Sequence, residues 1–367
     1  MAVATQTRTV SAILARVLDG ERLGDDDALV LLRSRNLIEV GQAANEIRSR
    51  KTNPDEVTFI VDRNINYSNI CVTDCDFCAF YRLPGDRKEG YTLPKGVIFK
   101  KIEETLAIGG TGVLMQGGHN PDLGIEWYED LFRSIRERFP TLHVHALSPP
   151  EIQYISRRSH LPVPTVLSRL RDAGLDTLPG GGGEILVDRV RHIIAPKKTK
   201  SDEWLGVMRH AHRLGMSTSA TMMYGHVETL AERVEHLHRI RSLQDEAPGF
   251  RAFISWTFQP DNTVLGRQIT ETPTSFDYLL TQAVSRLYLD NVEHIQSSWV
   301  TQGMKIGQVA LHFGADDLGS VMLEENVVSA AGTTYRASVE DFCRTIKAAG
   351  KRPVQRDTYY RRVRDDF

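Results

Sequence analysis

The chain of 367 residues is 41% hydrophobic and carries a formal net charge of −2, values ordinary for a globular protein with a full core. The near-zero charge gives no electrostatic footprint for nucleic acid or an anionic membrane. Four cysteines, three of them clustered, do not make a disulfide framework, and no apolar run reaches the length of a membrane span.

The opening segment Met1 to Arg8 lacks the apolar stretch of a signal peptide, so the cytoplasm is the expected compartment. Residues 1–55 read as an N-terminal helical cap. Ile13, Leu14, Val17 and Leu18 form one apolar stripe, and Asp25-Asp26-Asp27 starts a helix carrying Leu29, Leu31 and Leu32. Ala43, Ala44 and Ile47 continue the pattern. From residue 56 to 367, strand-like and helix-like segments alternate. Candidate strands are 57–61, 112–115, 142–146, 175–178, 217–223, 252–258, 292–297 and 319–323, with helical periodicity between them, as at Leu230, Val234, Leu237 and Leu243. Strands separated by helices argue for parallel pairing through right-handed crossovers. A (β/α)8 barrel with a C-terminal extension is the economical arrangement.

In such a barrel the chemistry belongs to the loops at the C-terminal strand ends. The loop after the first strand holds Cys71-Val-Thr-Asp-Cys75-Asp-Phe-Cys78, a Cys-x3-Cys-x2-Cys triplet. Three thiolates can hold three irons of a [4Fe–4S] cluster and leave the fourth iron open for a ligand. A zinc site wants four closed ligands in paired short spacings, and no second Cys pair follows. Later loops are Gln116-Gly117-Gly118-His119-Asn120-Pro121, His145-Ala146-Leu147-Ser148-Pro149-Pro150-Glu151 and Pro179-Gly180-Gly181-Gly182-Gly183-Glu184. Their glycines let backbone approach a ligand closely, or serve as ordinary turns.

The triplet, with Phe77 two residues after its second cysteine, resembles the radical S-adenosylmethionine superfamily. The runs Asp62 to Cys71 and Cys78-Ala79-Phe80-Tyr81-Arg82 look like its branch in menaquinone and deazaflavin biosynthesis. Within that branch, the Gln116 and His145 loops and Ser255-Trp256-Thr257-Phe258-Gln259-Pro260 most resemble the enzymes that cyclise dehypoxanthinyl futalosine. Aminofutalosine synthase and the FO synthase subunit are the alternatives, and a metal-binding structural protein is the non-enzymatic one.

The resemblance implies a [4Fe–4S] cluster on Cys71, Cys75 and Cys78, with S-adenosylmethionine on the open iron. It also implies a small-molecule substrate and an external one-electron reductant such as flavodoxin or ferredoxin. The adenosyl radical would take the ribose C4′ hydrogen, and the carbon radical would add to the benzoate ring. Phe77, Gly117, Gly118, Ser148 and Glu184 are the implied cofactor contacts, with Glu184 on the ribose; Arg189 or Arg191 would meet the methionine carboxylate. Arg82 and Arg267 are candidates for the benzoate. His119, His226 or Glu325 would serve as the base for the final ring proton.

Overall fold

The computed structural model describes residues 9–367; the opening segment Met1 to Arg8 lies outside the described residues. Three helices come first: α1 Val10–Leu18, α2 Asp25–Arg33 and α3 Leu37–Lys51. Thr9 caps α1 by accepting from the Ala12 N–H, and acidic Asp25–Asp27 occupy the first turn of α2, where the helix dipole favours them. The buried faces, Ile13, Leu14 and Val17, then Ala28, Leu31 and Leu32, then Val40, Ala43 and Ala44, join one apolar core with a large part of the barrel. Helix α3 packs on the barrel helix Ser275–Tyr288, and α2 on Leu230–Glu246. Arg48, fully buried, donates to the carbonyls of Pro54 and Glu56 and so steers the chain into the first strand.

The strands are β1 Glu56–Ile60, β2 Asp62–Ile65, β3 Gly112–Met115, β4 His143–Ala146, β5 Thr218–Tyr224, β6 Phe250–Thr257, β7 His294–Gln296, β8 Asp317–Ser320, β9 Arg352–Arg356 and β10 Arg362–Arg364. β1 and β2 are one strand broken at Val61. β2, β3 and β4 pair in parallel; so do β5 to β8, and β8 pairs with β1. Between β4 and β5 the predicted strand at 175–178 contributes only two parallel bridges, His145–Thr177 and Leu178–Thr218, and these close the ring. The architecture is an α/β barrel of TIM type. Among the described residues, no helix is long and apolar enough to cross a membrane.

Three strands lie outside the predicted segments: β2, which continues the first predicted strand, and β9 and β10, whose sequence is polar. β9 pairs in parallel with β1, Glu56 opposite Arg352 through Ile60 opposite Arg356, and β10 folds back antiparallel on β9. Val354 of β9 is buried with the apolar residues, while Arg356 enters an ionic floor at the N-terminal end of the barrel. Arg356 grips Asp317 through two hydrogen bonds of 2.6 and 2.9 Å and lies over the Tyr360 ring at 3.8 Å. Tyr360 stacks on His294 at 3.6 Å, and His294 is held by Asp316 at 2.6 Å.

Candidate active site

The cysteine loop leaves the C-terminal end of β2 and returns to the barrel at the helix Lys95–Ala107. Its shape comes from backbone hydrogen bonds: the Cys71 N–H to the Arg82 carbonyl at 2.8 Å, Cys78 to Cys75 at 3.0 Å, and Asp76 to Ile194 at 3.0 Å. Arg82 donates to the carbonyls of Ala79, Phe80 and Tyr81 and pairs with Glu89. Its guanidinium therefore holds the loop rather than standing free as a candidate for the benzoate. All three thiols are free. Burial pushes Cys75 up to about 12, and Lys198 is the main influence opposing it. A thiol so desolvated ionises against a metal cation. Among the described residues no three His, Cys, Asp or Glu side chains converge to hold one metal ion. A cluster asks for a different geometry, with each thiolate on its own iron, and this donor set suits it.

Facing the loop is the turn after β3. A Cβ on Gly118 would lie 2.2 Å from the Ile70 carbonyl oxygen, and one on Gly117 would lie 2.5 Å from the Tyr67 ring. Both glycines are required by that packing. His119 follows, and its Nδ1 lies 2.6 Å from Thr73 Oγ1 while the ring stacks on Tyr154 at 4.8 Å. Burial lowers its pKa to about 3, so it is neutral. His119 thus braces the cysteine loop from outside the barrel cavity. Glu151, at the third position of the helix Pro149–Ser159, accepts from the Tyr67 hydroxyl at 2.6 Å, the Gly117 N–H at 3.0 Å, and the N–H and hydroxyl of Ser148. This capping box consumes the polar groups of Ser148 and ties both turns together.

Glu184 ends the glycine run with a left-handed φ of 31°, buried at 5% exposure. Lys198 Nζ lies 3.0 Å from its carboxylate and 4.9 Å above the Phe77 ring. The Lys198 ammonium opposes the rise that burial causes in the Cys75 and Cys78 thiols. Lys198 was invisible in sequence, where Lys197-Lys198-Thr199-Lys200 reads as solvated charge. Tyr67 and Glu151 were missed likewise.

Four predicted residues lie elsewhere. Arg189 is on the outer surface, bonded to Glu232 and the Val227 carbonyl. Arg191 is buried, but its guanidinium donates to the carbonyls of Gly182, Gly183 and Thr199; it shapes the glycine loop and only brushes Glu184, at 3.5 Å. His226 bonds Met223 and Val227 through its two ring nitrogens and belongs to a different pocket, with Glu228 and Arg233. Arg267 sits exposed on the short turn Leu265–Arg267. Glu325 does reach the barrel cavity, accepting from the backbone N–H groups of Val327, Val328 and Ser329.

The cavity itself, about 330 Å³, runs along the barrel axis. Gly180 to Gly182 and Glu184 line its mouth near the cysteines; Asn64, His145, Thr177 and Trp256 form its middle, and Asp62, Arg356 and Tyr360 its floor.

Two family models match the chain in tandem: the radical SAM superfamily over residues 65–240 and the CofH/MqnC C-terminal region over 247–366. A cyclic dehypoxanthine futalosine synthase of Halalkalibacterium halodurans is 48% identical over 97% of this chain and 95% of its own length. The chain belongs to the radical SAM superfamily. A second cyclic dehypoxanthine futalosine synthase, from Streptomyces coelicolor, is 45% identical over 99% of this chain and 91% of its own. The crystal structure of methylornithine synthase (PylB) superposes with a TM-score of 0.70 at 19% identity, over 93% of this chain and 97% of that one. That likeness is one of fold. Radical SAM membership accounts for a cysteine triplet at the mouth of an α/β barrel, and it implies an iron–sulfur cluster and S-adenosylmethionine.

Proposed function

We propose that the protein cyclises dehypoxanthinyl futalosine to cyclic dehypoxanthinyl futalosine, a step of menaquinone biosynthesis. The observation that carries this reading is that Lys198 joins the cysteine loop, through the Phe77 ring, to Glu184 at the mouth of the barrel cavity. The choice of substrate rests on relatives of that printed activity, aligned over nearly the whole of both chains. Cys71, Cys75 and Cys78 would hold the [4Fe–4S] cluster. Together with S-adenosylmethionine, the cluster supplies a hydrogen-abstracting adenosyl group, fed by an external one-electron reductant such as flavodoxin or ferredoxin.

The chain's own task is binding, positioning and the exclusion of water. Lys198 presents a buried ammonium to a carboxylate, the group that the methionine end of the cofactor carries. Glu184 offers acceptors for ribose hydroxyls, its orientation fixed by the left-handed backbone that the glycine run permits. Neither arginine first considered is needed for that contact. Leu114, Ile254 and Trp256 give the cavity an apolar wall that helps to keep water from a reactive carbon radical.

Substrate deuterated at the ribose C4′ delivers its deuterium to 5′-deoxyadenosine, and the product contains a new C4′–aryl bond. Mass spectrometry of the two products checks this. Deuterium retained at C4′, or efficient turnover of an enolpyruvyl benzoate instead, assigns a sister activity. Glu184→Gln weakens S-adenosylmethionine binding about tenfold or more, because a charge-assisted contact of roughly 1.5–3 kcal/mol is lost, while iron content is retained. Calorimetric titration measures the first and iron analysis the second; unchanged affinity would remove the ribose role from Glu184.

A further inference from the structure

The middle of the cavity contains a hydrogen-bonded chain that the roles above leave unused. In β4 the side chains alternate: Val144 and Ala146 pack outward into the apolar shell, while His143 and His145 point into the barrel. His145 lines the cavity at the level of Asn64 and Leu114, its partners across the β2–β3–β4 register. Its Nδ1 lies 2.7 Å from the hydroxyl of Thr177, and His143 Nε2 lies 2.7 Å from the same oxygen. Thr177, 1% exposed, is therefore wired to both rings.

Proton counting allows a continuous chain from the cavity toward the barrel floor. The Thr177 hydroxyl has one hydrogen, so it donates to one of the two rings and accepts from the other. With Nδ1 of His145 as the donor, the Thr177 hydroxyl gives its hydrogen to His143 Nε2. His145 Nε2 is left with a lone pair on the cavity side. Of the acidic groups of the cavity, Glu184 is held by Lys198 at the mouth. The Asp62 carboxylate accepts from Ser320 and lies one layer deeper, level with His143; Glu325 is held by three backbone N–H groups.

We propose that His145 is the base that removes the ring proton after the carbon–carbon bond forms, and that Thr177 and His143 relay a proton from it toward the barrel floor. The inference rests on the cyclisation reading. Once C4′ has added to the arene, one ring carbon is tetrahedral and still bears its hydrogen, and the ring carries one unpaired electron. The proton passes to Nε2 and the C–H electron pair stays in the ring. One electron then leaves to an external acceptor of the iron–sulfur or flavin class, and the aromatic sextet is restored. Burial depresses His145 to about 3, so a lasting imidazolium is disfavoured there. The relay avoids one: as Nε2 gains a proton, Nδ1 gives its own to Thr177, and the ring changes tautomer without changing charge. His143 ends the chain edge-on to Tyr359 at 4.7 Å; burial lowers its pKa, and the carboxylates of Asp176 and Asp357 oppose that shift.

The test uses reconstituted holoenzyme with C4′-deuterated dehypoxanthinyl futalosine, measuring labelled 5′-deoxyadenosine and cyclic product together. Wild type forms the two stoichiometrically. His145→Asn lowers cyclic product per labelled 5′-deoxyadenosine by roughly 100-fold, the usual scale of a lost general base. Thr177→Val lowers it on the order of tenfold, since Nδ1 loses its relay partner, and Thr177→Ser restores it. If His145→Asn fails to fold, the Thr177 pair decides. Independently, nitrogen-15 NMR of histidine-labelled, cofactor-free protein shows His145 as the Nδ1–H tautomer. An unchanged product ratio in the variants, or an Nε2–H tautomer, overturns the proposal. Absence of label transfer in wild type overturns the cyclisation reading and the proposal with it, whereas normal transfer with unaltered ratios sinks the base alone.

Discussion

Cys75→Ala abolishes iron–sulfur assembly and S-adenosylmethionine cleavage in anaerobically reconstituted protein. Cys75 is the most enclosed of the three loop cysteines, and its carbonyl accepts the Cys78 N–H, so the residue organises the loop as well as donating a thiolate. With three protein ligands for a four-iron cluster there is no spare, because Cys343 lies away in the helix Val339–Ala348, packed in the apolar core. Iron and sulfide analysis and the brown charge-transfer absorption measure assembly. The reduced wild-type EPR signal changes on adding S-adenosylmethionine. Cys343→Ala, the control, retains full iron content. Stoichiometric zinc without sulfide in the wild type would sink the cluster assignment.

Arg356→Leu destabilises the fold by about 3–5 kcal/mol, the scale of removing one member of a buried ion pair. Both partners are enclosed, Arg356 at 5% and Asp317 at 0% exposure, so solvent screens the pair little. Among the described residues, the lost guanidinium leaves Asp317 with only the Thr58 hydroxyl and the Gly319 N–H as donors, and strips the cation from the Tyr360 ring. Urea unfolding reads the loss. The double variant Arg356→Leu with Asp317→Asn recovers part of it, since the uncompensated carboxylate is gone. An additive double variant would mean that the two side chains do not interact, and that β9 holds the barrel floor by backbone pairing alone.

Much of the fold was legible because alternation between strands and amphipathic helices is a local pattern. Seven of the eight predicted barrel strands lie within a few residues of an observed strand, and the remaining segment, 175–178, survives as bridges at Thr177 and Leu178. β9 was not legible. Its Arg352-Pro-Val-Gln-Arg356 has the composition of a surface loop, and only the ionic floor it meets makes burial of that sequence favourable.

The candidate site divides in the same way. Spacing by itself determined that three cysteines share one loop, and that glycine-rich turns fall at strand ends where a barrel binds ligands. It could not give the direction of a side chain. Arg189 and Arg191 stand two residues apart on the helix Asp188–Ile194, and two steps turn a helix by about 200°, so one faces Glu232 outside and the other the glycine carbonyls inside. His119 and His226 are taken up by backbone and hydroxyl partners that sequence does not display. Lys198 meets Glu184 and Phe77, and His145 meets His143 through Thr177, only because segments from separate strand ends converge when the ring closes. A chain's local chemistry is written residue by residue; which of those groups share one desolvated cavity, and which are spent on one another, is decided by closure of the barrel.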